Sequence, residues 1–523
     1  MYLGVDFGTS FSQVAVDNNN HVLRLVSAGV YGLPSSFYYD DVDGEVVGDE
    51  AENLAQGINA SNVVREVKMK LGQRFILGGK EFTSDEIVKK IYKAILEQAD
   101  DEGKKNIIDF NIDGIVITHP AKFNIREINA LCEAARGSVD SQNPIPVVGA
   151  LKEPVAAAIS YYRDTRDNFD NGDGIIVFDL GGGTCDVALV QVDENDAAEY
   201  CVADSDMIRV GGRDWDKALY NYALEKINVV TNGAVVIAGD DAMENDLRKA
   251  VISTKHQLSK KEECLIRPTI SAIYSYPGLS RGIPITRHDF EEITADLLNN
   301  AIDLLDRVYQ RNRDSVKIKE IICVGGASNM PQIGEAIKNK FADCTVRIYK
   351  PEYATVNGAA IFAGKIMSKM IENGYGLNPV GNDPITERAT GVAIRDIIED
   401  KLPFSYGIRC REFVGSNNFV VHNILTKGDV LPATGSYDNF RLVGSGTSVK
   451  IEVFESECTD RNYPLNGSVN TEEVGHILLE IPNGIMEGVQ VECALTMNSL
   501  DNIQLEAHDA DGNHIKAEFK IAK

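Results

Sequence analysis

The chain has 523 residues, 44% of them hydrophobic, with 52 basic against 78 acidic side chains and a net charge of -26. Its length predicts two or more domains. The acidic balance, with no basic run or basic helix face, argues against nucleic acid or an anionic membrane as the main partner. The nine cysteines are scattered and form no C-x-x-C pair. No run is long and apolar enough to span a bilayer. The chain enters a strand within a few residues, without a signal peptide. A cytoplasmic protein with reduced thiols is expected.

Leu3-Gly4-Val5-Asp6-Phe7-Gly8-Thr9-Ser10 runs from an apolar strand through Asp, Gly and Thr into a second strand ending at Val16. His21 to Val47 reads as short strands and turns. Ser61 to Phe75 carries Lys68, which taken alone is most simply a solvated surface charge. Thr83 to Gln98 has helical spacing, with Thr83 or Ser84 as cap and Glu86 behind it. Gly114 to Thr118 is a buried strand, Ile125 to Gly137 a helix closed by its glycine, and Pro146 to Val148 a strand. Glu153-Pro154 opens a helix. Glu153 is either a helix-start carboxylate suited to the dipole or a catalytic one.

Ile176 to Val190 repeats the opening pattern more fully: apolar strand, Asp179, Gly181, Gly182, Gly183, Thr184, return strand. Three glycines let the backbone turn sharply and leave its N–H groups uncovered, a nest for phosphate oxygens. Asp179 is well placed to hold a hydrated metal ion beside that phosphate. Either copy alone fits an ordinary glycine-rich turn. Two copies predict a duplicated, two-lobed α/β domain with a nucleotide clamped between two phosphate hairpins.

Asp214 to Ile227 and Asp246 to Leu258 read as helices, and Thr286 to Arg311 as one long helix. Glu320 to Pro331 is again strand, glycine turn (Gly325, Gly326) and helix, an arrangement suited to an adenosine or phosphate edge. Glu352 to Met370 is a helix in which Gly358-Ala-Ala360 allows close packing. From Glu372 to about Glu399 the chain reads as a linker. Beyond Leu402, short alternating segments predict an antiparallel β-domain: 419–425, 449–454, 476–481, 489–495, 503–507 and 514–519. Asn466-Gly-Ser468 and Asp509 to Asn513 read as turns.

With Val210-Gly211-Gly212-Arg-Asp214, Lys152-Glu153-Pro154 and Val324-Gly325-Gly326 added, these motifs resemble the heat-shock protein 70 chaperone family in order and spacing. The resemblance spans nearly the whole chain and is strongest in the first ~370 residues. It implies a duplicated actin-like ATPase domain over residues 1–372, a linker over 373–400, and a β-sandwich over 401–523 that binds unfolded or extended peptides. No helical lid follows before Lys523. It implies ATP/ADP and Mg2+ as ligands, with Asp6 and Asp179 holding hydrated magnesium. Gly8, Thr9, Ser10 and Gly181 to Thr184 would bind phosphates. Lys68 would stabilise the transferring phosphoryl group and Glu153 would orient the attacking water. Gly211, Gly212, Lys255, His256, Ser259, Gly325, Gly326, Asn329 and Glu352 would surround the rest of the nucleotide. Ile408, Arg411, Phe440, Val449 and Ile451 would contact peptide.

Several positions depart from the family. His256 and Asn329 stand where it stacks adenine between two arginines, and Ile252 replaces an acidic ribose contact. Gly149 stands in place of the arginine that receives a J-domain co-chaperone, which weakens the case for that partner; a nucleotide-exchange factor remains compatible. The interdomain linker is reduced to Asp396-Ile-Ile-Glu-Asp400, and the stretch between Lys68 and Glu153 is short. Other readings of the same hairpins are a small-molecule kinase, an actin-like filament former and a nucleotide-gated module with little turnover. Gly181 to Gly183 is not G-x-G-x-x-G, which disfavours a dinucleotide-binding dehydrogenase.

Overall fold

A computed structural model describes residues 1–26, 32–139, 144–192, 199–373, 393–394, 397–413, 416–442, 447–465, 471–480, 488–497, 503–509 and 514–519. The chain divides into two compact units. One is built on Met1–Ala121, Leu131–Val192 and Asp204–Asn382, the other on Lys122–Ala130, Asp193–Ala203 and Asp383–Lys523.

The first unit is mixed α/β. Its first sheet takes β1 (Tyr2–Phe7), β2 (Phe11–Asn18), β3 (His21–Val26), β4 (Gly114–His119) and β5 (Val147–Lys152) in the order β5-β4-β1-β2-β3. A second sheet takes β6 (Asp173–Leu180), β7 (Cys185–Val192), β8 (Tyr200–Ile208), β9 (Lys317–Val324) and β10 (Thr345–Ile348) in the order β10-β9-β6-β7-β8. These five strands correspond one for one, while each sheet also holds a short sixth strand without a counterpart: Leu33–Pro34 against β2, and Ile398–Glu399, from within the expected linker, against β8. In each, the first strand forms an antiparallel hairpin with the second and runs parallel to the fourth, which runs parallel to the fifth. β4 and β6 are buried along their whole length, as parallel strands with both faces covered must be.

Among the described residues the helices of seven or more residues are α1 (Ser84–Asn106), α2 (Ile125–Arg136), α3 (Glu153–Thr165), α4 (Gly212–Thr231), α5 (Asp241–Leu258), α6 (Arg287–Ile293), α7 (Ala295–Asn312), α8 (Pro331–Lys340) and α9 (Ala354–Glu372), and a six-residue helix spans Asp49–Leu54. Thr83 caps α1 through a reciprocal pair with Glu86, and the helix runs eight residues beyond the expected end at Gln98. The single helix expected over 286–311 is two. Thr294 leaves helical geometry (φ -115°, ψ 10°) and its buried hydroxyl donates to the Phe290 carbonyl, so α6 ends there. Periodicity alone does not register such a break.

Helices α3 and α9 each follow the fifth strand of their sheet, and they meet backbone to backbone. A Cβ on Gly358 would fall 1.6 Å from the Ala156 carbonyl oxygen, and one on Gly4 of β1 would fall 2.2 Å from the Ala360 nitrogen.

In the second unit, β11 (Ser405–Arg411), β12 (Phe419–Leu425), β13 (Ala433–Arg441), β14 (Ser448–Ser456), β15 (Asn462–Pro464), β16 (Thr471–Glu480), β17 (Gln490–Met497), β18 (Ile503–Asp509) and β19 (His514–Phe519) form two antiparallel sheets. Their orders are β15-β12-β11-β14-β16 and β13-β17-β18-β19. One cluster that includes Tyr406, Leu425, Val453, Leu479, Leu495 and Leu505 is buried among these strands. Sequence patterning misses β13. Its Asp438-Asn439 looks like a turn, but the ladder shifts register between Tyr437 and Phe440 and absorbs both residues as a bulge. Of the expected linker, residues 374–392, 395 and 396 lie outside the described residues, as do 466–470, 481–487, 500–502 and 510–513. Among the described residues no helix is long and apolar enough to cross a membrane.

Gly358→Ala should lower stability by about 1–3 kcal/mol, because neither helix backbone can retreat from the added methyl. Gly334→Ala, whose nearest neighbour is the Ile348 Cδ1 at 3.9 Å, should be neutral or stabilising by up to about 1 kcal/mol. Thermal unfolding ranks the pair; equal melting temperatures would contradict the close approach.

Candidate functional site

The turn between β6 and β7 is built by its carbonyls. Gly181 N–H donates to the Thr184 carbonyl at 3.0 Å, while the carbonyls of Gly181 and Gly182 accept from Gly212 and Arg213 at 2.9 Å each. With those carbonyls turned back, the N–H groups of Gly182, Gly183 and Thr184 donate to no backbone acceptor among the described residues. Gly211 must lack a side chain, since a Cβ there would lie 2.5 Å from the Gly183 nitrogen. The tip of the β1–β2 hairpin meets this turn. A Cβ on Gly182 would lie 2.3 Å from the Ser10 Oγ, and one on Gly183 2.8 Å from the Thr9 Cγ2. The two glycine hairpins therefore face each other, and Gly8, Thr9, Ser10 and Gly181 to Thr184 form one locus.

Beneath it lies a buried charge cluster. Lys68 is 2% exposed, so the reading of it as a solvated surface charge is wrong. Its ammonium donates to the Glu153 carboxylate and to the Phe7 carbonyl, the latter at 2.6 Å. It sits on a short 3-10 turn, Val67–Lys70, entered through Glu66 in a left-handed conformation (φ 57°). Glu153 is the first residue of α3, directly after β5. Asp6 near the end of β1 accepts from the Thr118 hydroxyl at 2.8 Å. Burial first, and then the Glu153 charge, push its carboxyl up to about 6. Asp179 at the end of β6 is raised well above the ordinary carboxylate range by burial, then by Glu153, Asp186 and Asp6. Asp186, on β7, accepts from the Ala121 N–H at 2.6 Å and is pushed up to about 7 by burial and then Glu153. Its second oxygen, Oδ2, is buried with no hydrogen-bond partner.

Four carboxyl groups thus share one ammonium. A divalent cation would relieve that repulsion. Among the described residues no three His, Cys, Asp or Glu side chains converge on one direct metal position.

The remaining nucleotide candidates adjoin this centre through Gly212, whose Cβ would lie 3.3 Å from the Lys255 Nζ and 3.4 Å from the Ala327 Cβ. Lys255 binds the Gly212 carbonyl at 3.0 Å and the Asp216 carboxylate at 2.9 Å. His256 is exposed one residue further along α5, and the Ser259 hydroxyl donates to the Lys255 carbonyl at 3.4 Å. Gly325 has φ 80°, and a Cβ there would lie 2.4 Å from the Asp179 Oδ1. The Asn329 amide donates to the Glu352 carboxylate at 3.0 Å and to the Gly326 carbonyl at 3.2 Å. Glu352 precedes α9 rather than starting it.

In the second unit, Ile408 and Ile451 are 3% and 5% exposed, in the core between the sheets. Phe440 and Val449 pack half-buried against the same core. Arg411 is exposed, donates to the Ser416 carbonyl at 2.7 Å and lies 5.8 Å from the Phe419 ring. The five do not form a single surface patch.

Asp186 and Thr118 were not singled out from sequence, although Asp186 lies inside the Gly-Gly-Gly-Thr-Cys-Asp stretch. Also missed is Glu52, which accepts from Arg65 at 2.7 Å and Arg248 at 3.3 Å and is held down to about 2, the arginines outweighing its burial. No local signal links positions so far apart in the chain.

A family model described as Hsp70 protein matches residues 76–518. The chain is 26% identical over 494 residues to heat shock cognate 70 kDa protein 3 of Dictyostelium discoideum, covering 87% of this chain and 71% of that one. It is 27% identical over 463 residues to the chaperone protein DnaK of Halobacterium salinarum, covering 87% of this chain and 65% of that protein. Against the chaperone protein dnaK of Guillardia theta it is 28% identical over 398 residues, with 70% and 60% covered.

Asp6 and Asp186 titrate above the unfolded-chain value of 3.8. The folded state therefore keeps protons that the unfolded state has released. The stability they contribute is complete below about pH 4 and is lost as pH rises through about 7. Asp186→Asn, which retains an acceptor for the Ala121 N–H, should stabilise the metal- and nucleotide-free protein by about 1–3 kcal/mol at pH 8 and give no gain at pH 4. Melting curves at the two pH values in a chelator check this.

Proposed function

The chain belongs to the Hsp70 family, and from that premise we propose an ATP-hydrolysing chaperone that couples nucleotide state to the binding of extended apolar peptides. The matching strand orders of the two sheets support a two-lobed, actin-like ATPase domain over residues 1–372. The paired antiparallel sheets support a β-sandwich peptide domain after a linker over 373–400. The observation that carries the reading is the pairing of the buried Lys68 with the partly exposed Glu153, set beneath two facing glycine hairpins and flanked by Asp6 and Asp179.

Thr9, Ser10 and the free N–H groups of Gly182 to Thr184 would receive the phosphates. Asp6 and Asp179 would hold a hydrated magnesium ion, which supplies charge neutralisation at the phosphates when bound. Lys68 would turn from Glu153 to the transferring phosphoryl group, and Glu153 would hold the attacking water in line. Such a site works by positioning and electrostatics, so each side chain acts on the transition state more than on nucleotide binding. Neither His256 nor Asn329 offers a guanidinium plane, and Asn329 already bonds Glu352 and Gly326. Adenine would therefore be held more weakly than by an arginine clamp. In the β-domain, contact with peptide would rest on Phe440, Val449 and Arg411, since Ile408 and Ile451 hold the sheets together. Arg411 would favour peptides that carry an acidic group.

Glu153→Gln and Lys68→Ala should each cut kcat for ATP hydrolysis by at least about tenfold with little change in nucleotide affinity. Labelled apolar peptide, followed by fluorescence anisotropy, should exchange faster with ATP than with ADP. Undiminished hydrolysis in Glu153→Gln would remove the catalytic reading. Hydrolysis without any peptide binding would leave an ATPase of another kind, with the small-molecule kinase reading first in line.

A further inference from the structure

The turn that carries Lys68 is gripped from outside. Glu66 enters the 3-10 turn Val67–Lys70 with φ 57° and ψ 33°, and its carbonyl accepts from the Met69 N–H at 3.0 Å. A left-handed conformation is costly for a residue with a side chain, and it persists where the surroundings hold it. The Glu66 carboxylate accepts from the Arg213 guanidinium at 3.4 Å, with both side chains partly exposed. Arg213 is the second residue of α4, and its N–H donates to the Gly182 carbonyl at 2.9 Å. One residue therefore joins the β6–β7 turn through its backbone and the Lys68 turn through its side chain. The Met69 side chain lies against the same β6–β7 turn, since a Cβ on Gly183 would fall 3.0 Å from the Met69 Cγ. The Lys70 ammonium donates to the Arg65 carbonyl at 2.9 Å, a bond within the Lys68 segment itself.

Lys68 itself pins its turn while its ammonium bonds Glu153 and the Phe7 carbonyl. When the ammonium turns to a phosphoryl group, the hold on Glu153 is given up. The reach of the lysine is then set by where its backbone stands, and a misplacement of about 1 Å is enough to weaken catalysis severely. Of the three ties above, the Met69 contact is a van der Waals one and the Lys70 bond stays inside the segment. The Arg213–Glu66 pair is the ionic tie that reaches the backbone of the β6–β7 turn. We propose that Arg213 and Glu66 are positioning residues for Lys68: their ion pair holds the Lys68 turn in register with the β6–β7 turn, so that the ammonium meets the phosphoryl group bound there. This rests on the hydrolytic role proposed for Lys68. Neither side chain touches a reacting atom, and no proton is transferred between them.

Steady-state ATP hydrolysis by Glu66→Ala, Arg213→Ala, the double alanine variant and the swapped pair Glu66→Lys/Arg213→Glu tests it, with Lys68→Ala as reference and melting temperatures for each. Either single alanine variant should lower kcat about three- to tenfold and leave KM for ATP within about twofold of the parent. Melting temperatures should stay near the parent's, because a partly exposed ion pair contributes little to global stability. The double alanine variant should be no slower than the slower single one, since both remove the same interaction. The swapped pair restores opposite charges and should recover kcat to about half the parent value or more. Parent-like kcat in both single variants alongside a slow Lys68→Ala would overturn the proposal and leave the site reading intact. So would a raised KM at unchanged kcat, which would make Arg213 a ground-state nucleotide contact. Additive losses in the double variant, or a swapped pair as slow as the singles, would also overturn it, since the two side chains would then act separately. If Lys68→Ala hydrolyses at the parent rate, or the parent does not hydrolyse ATP, both the site reading and this proposal fall.

Discussion

The first unit depends on how one buried ammonium is shared among four carboxyl groups, those of Asp179 and Asp186 buried and those of Asp6 and Glu153 partly exposed. Lys68 comes from a short 3-10 turn, Glu153 from a helix start, Asp6 and Asp179 from the ends of two central strands, and Asp186 from a return strand. Breaking such a pair from one side leaves a charge without compensation, typically at a cost of about 3–5 kcal/mol. All five elements must therefore be in place together. The same arrangement leaves the site short of positive charge, and this is what makes it receptive to a cation and to the transfer of Lys68 to an anion.

What fixes those five positions is the repetition of one strand pattern. Each sheet ends its first strand in an Asp followed by a glycine-bearing turn, and each sends a helix back after its fifth strand. The helices touch through Gly358 and Ala156, and the hairpins touch through Gly182 and Ser10. The Gly358 contact is with backbone and requires the absence of a side chain, so glycine is used there for closeness rather than for turning, whereas Gly182 faces only the end of the Ser10 side chain. The Glu52 carboxylate, shared by Arg65 and Arg248, adds a third tie, between residues 49–65 and α5.

The second unit is organised differently. Its alternating strands bury one face in a common core, and the positions that resemble peptide contacts divide between that core and the outside. Ile408 and Ile451 point inward, Arg411 outward, and Phe440 sits in an aromatic group with His422 and Tyr437 at ring separations of 5.7 and 4.9 Å. Alternation along a strand tells which residues share a face, and it does so equally well for a core and for a groove.

Much of the fold and part of the site could be read from the chain alone, because both rest on local chemistry. The capping pair at Thr83, the proline start of α3, the Asp-Gly-Thr hairpins and the alternation after residue 402 each act over a few residues, where backbone preference and side-chain period decide the outcome. Other features follow from contacts between residues distant in the chain. The break at Thr294 comes from a buried hydroxyl, and the bulge at Asp438-Asn439 from a neighbouring strand. The burial of Lys68 comes from Phe7 and Glu153, 61 and 85 residues away. Whether a lysine is solvated or held in a charge cluster, and whether an aspartate finds a partner, is set by what the folded chain packs around it. For Lys68 and Asp186 only the tertiary structure decided that, because desolvation and Coulomb energy depend on surroundings that no local pattern encodes.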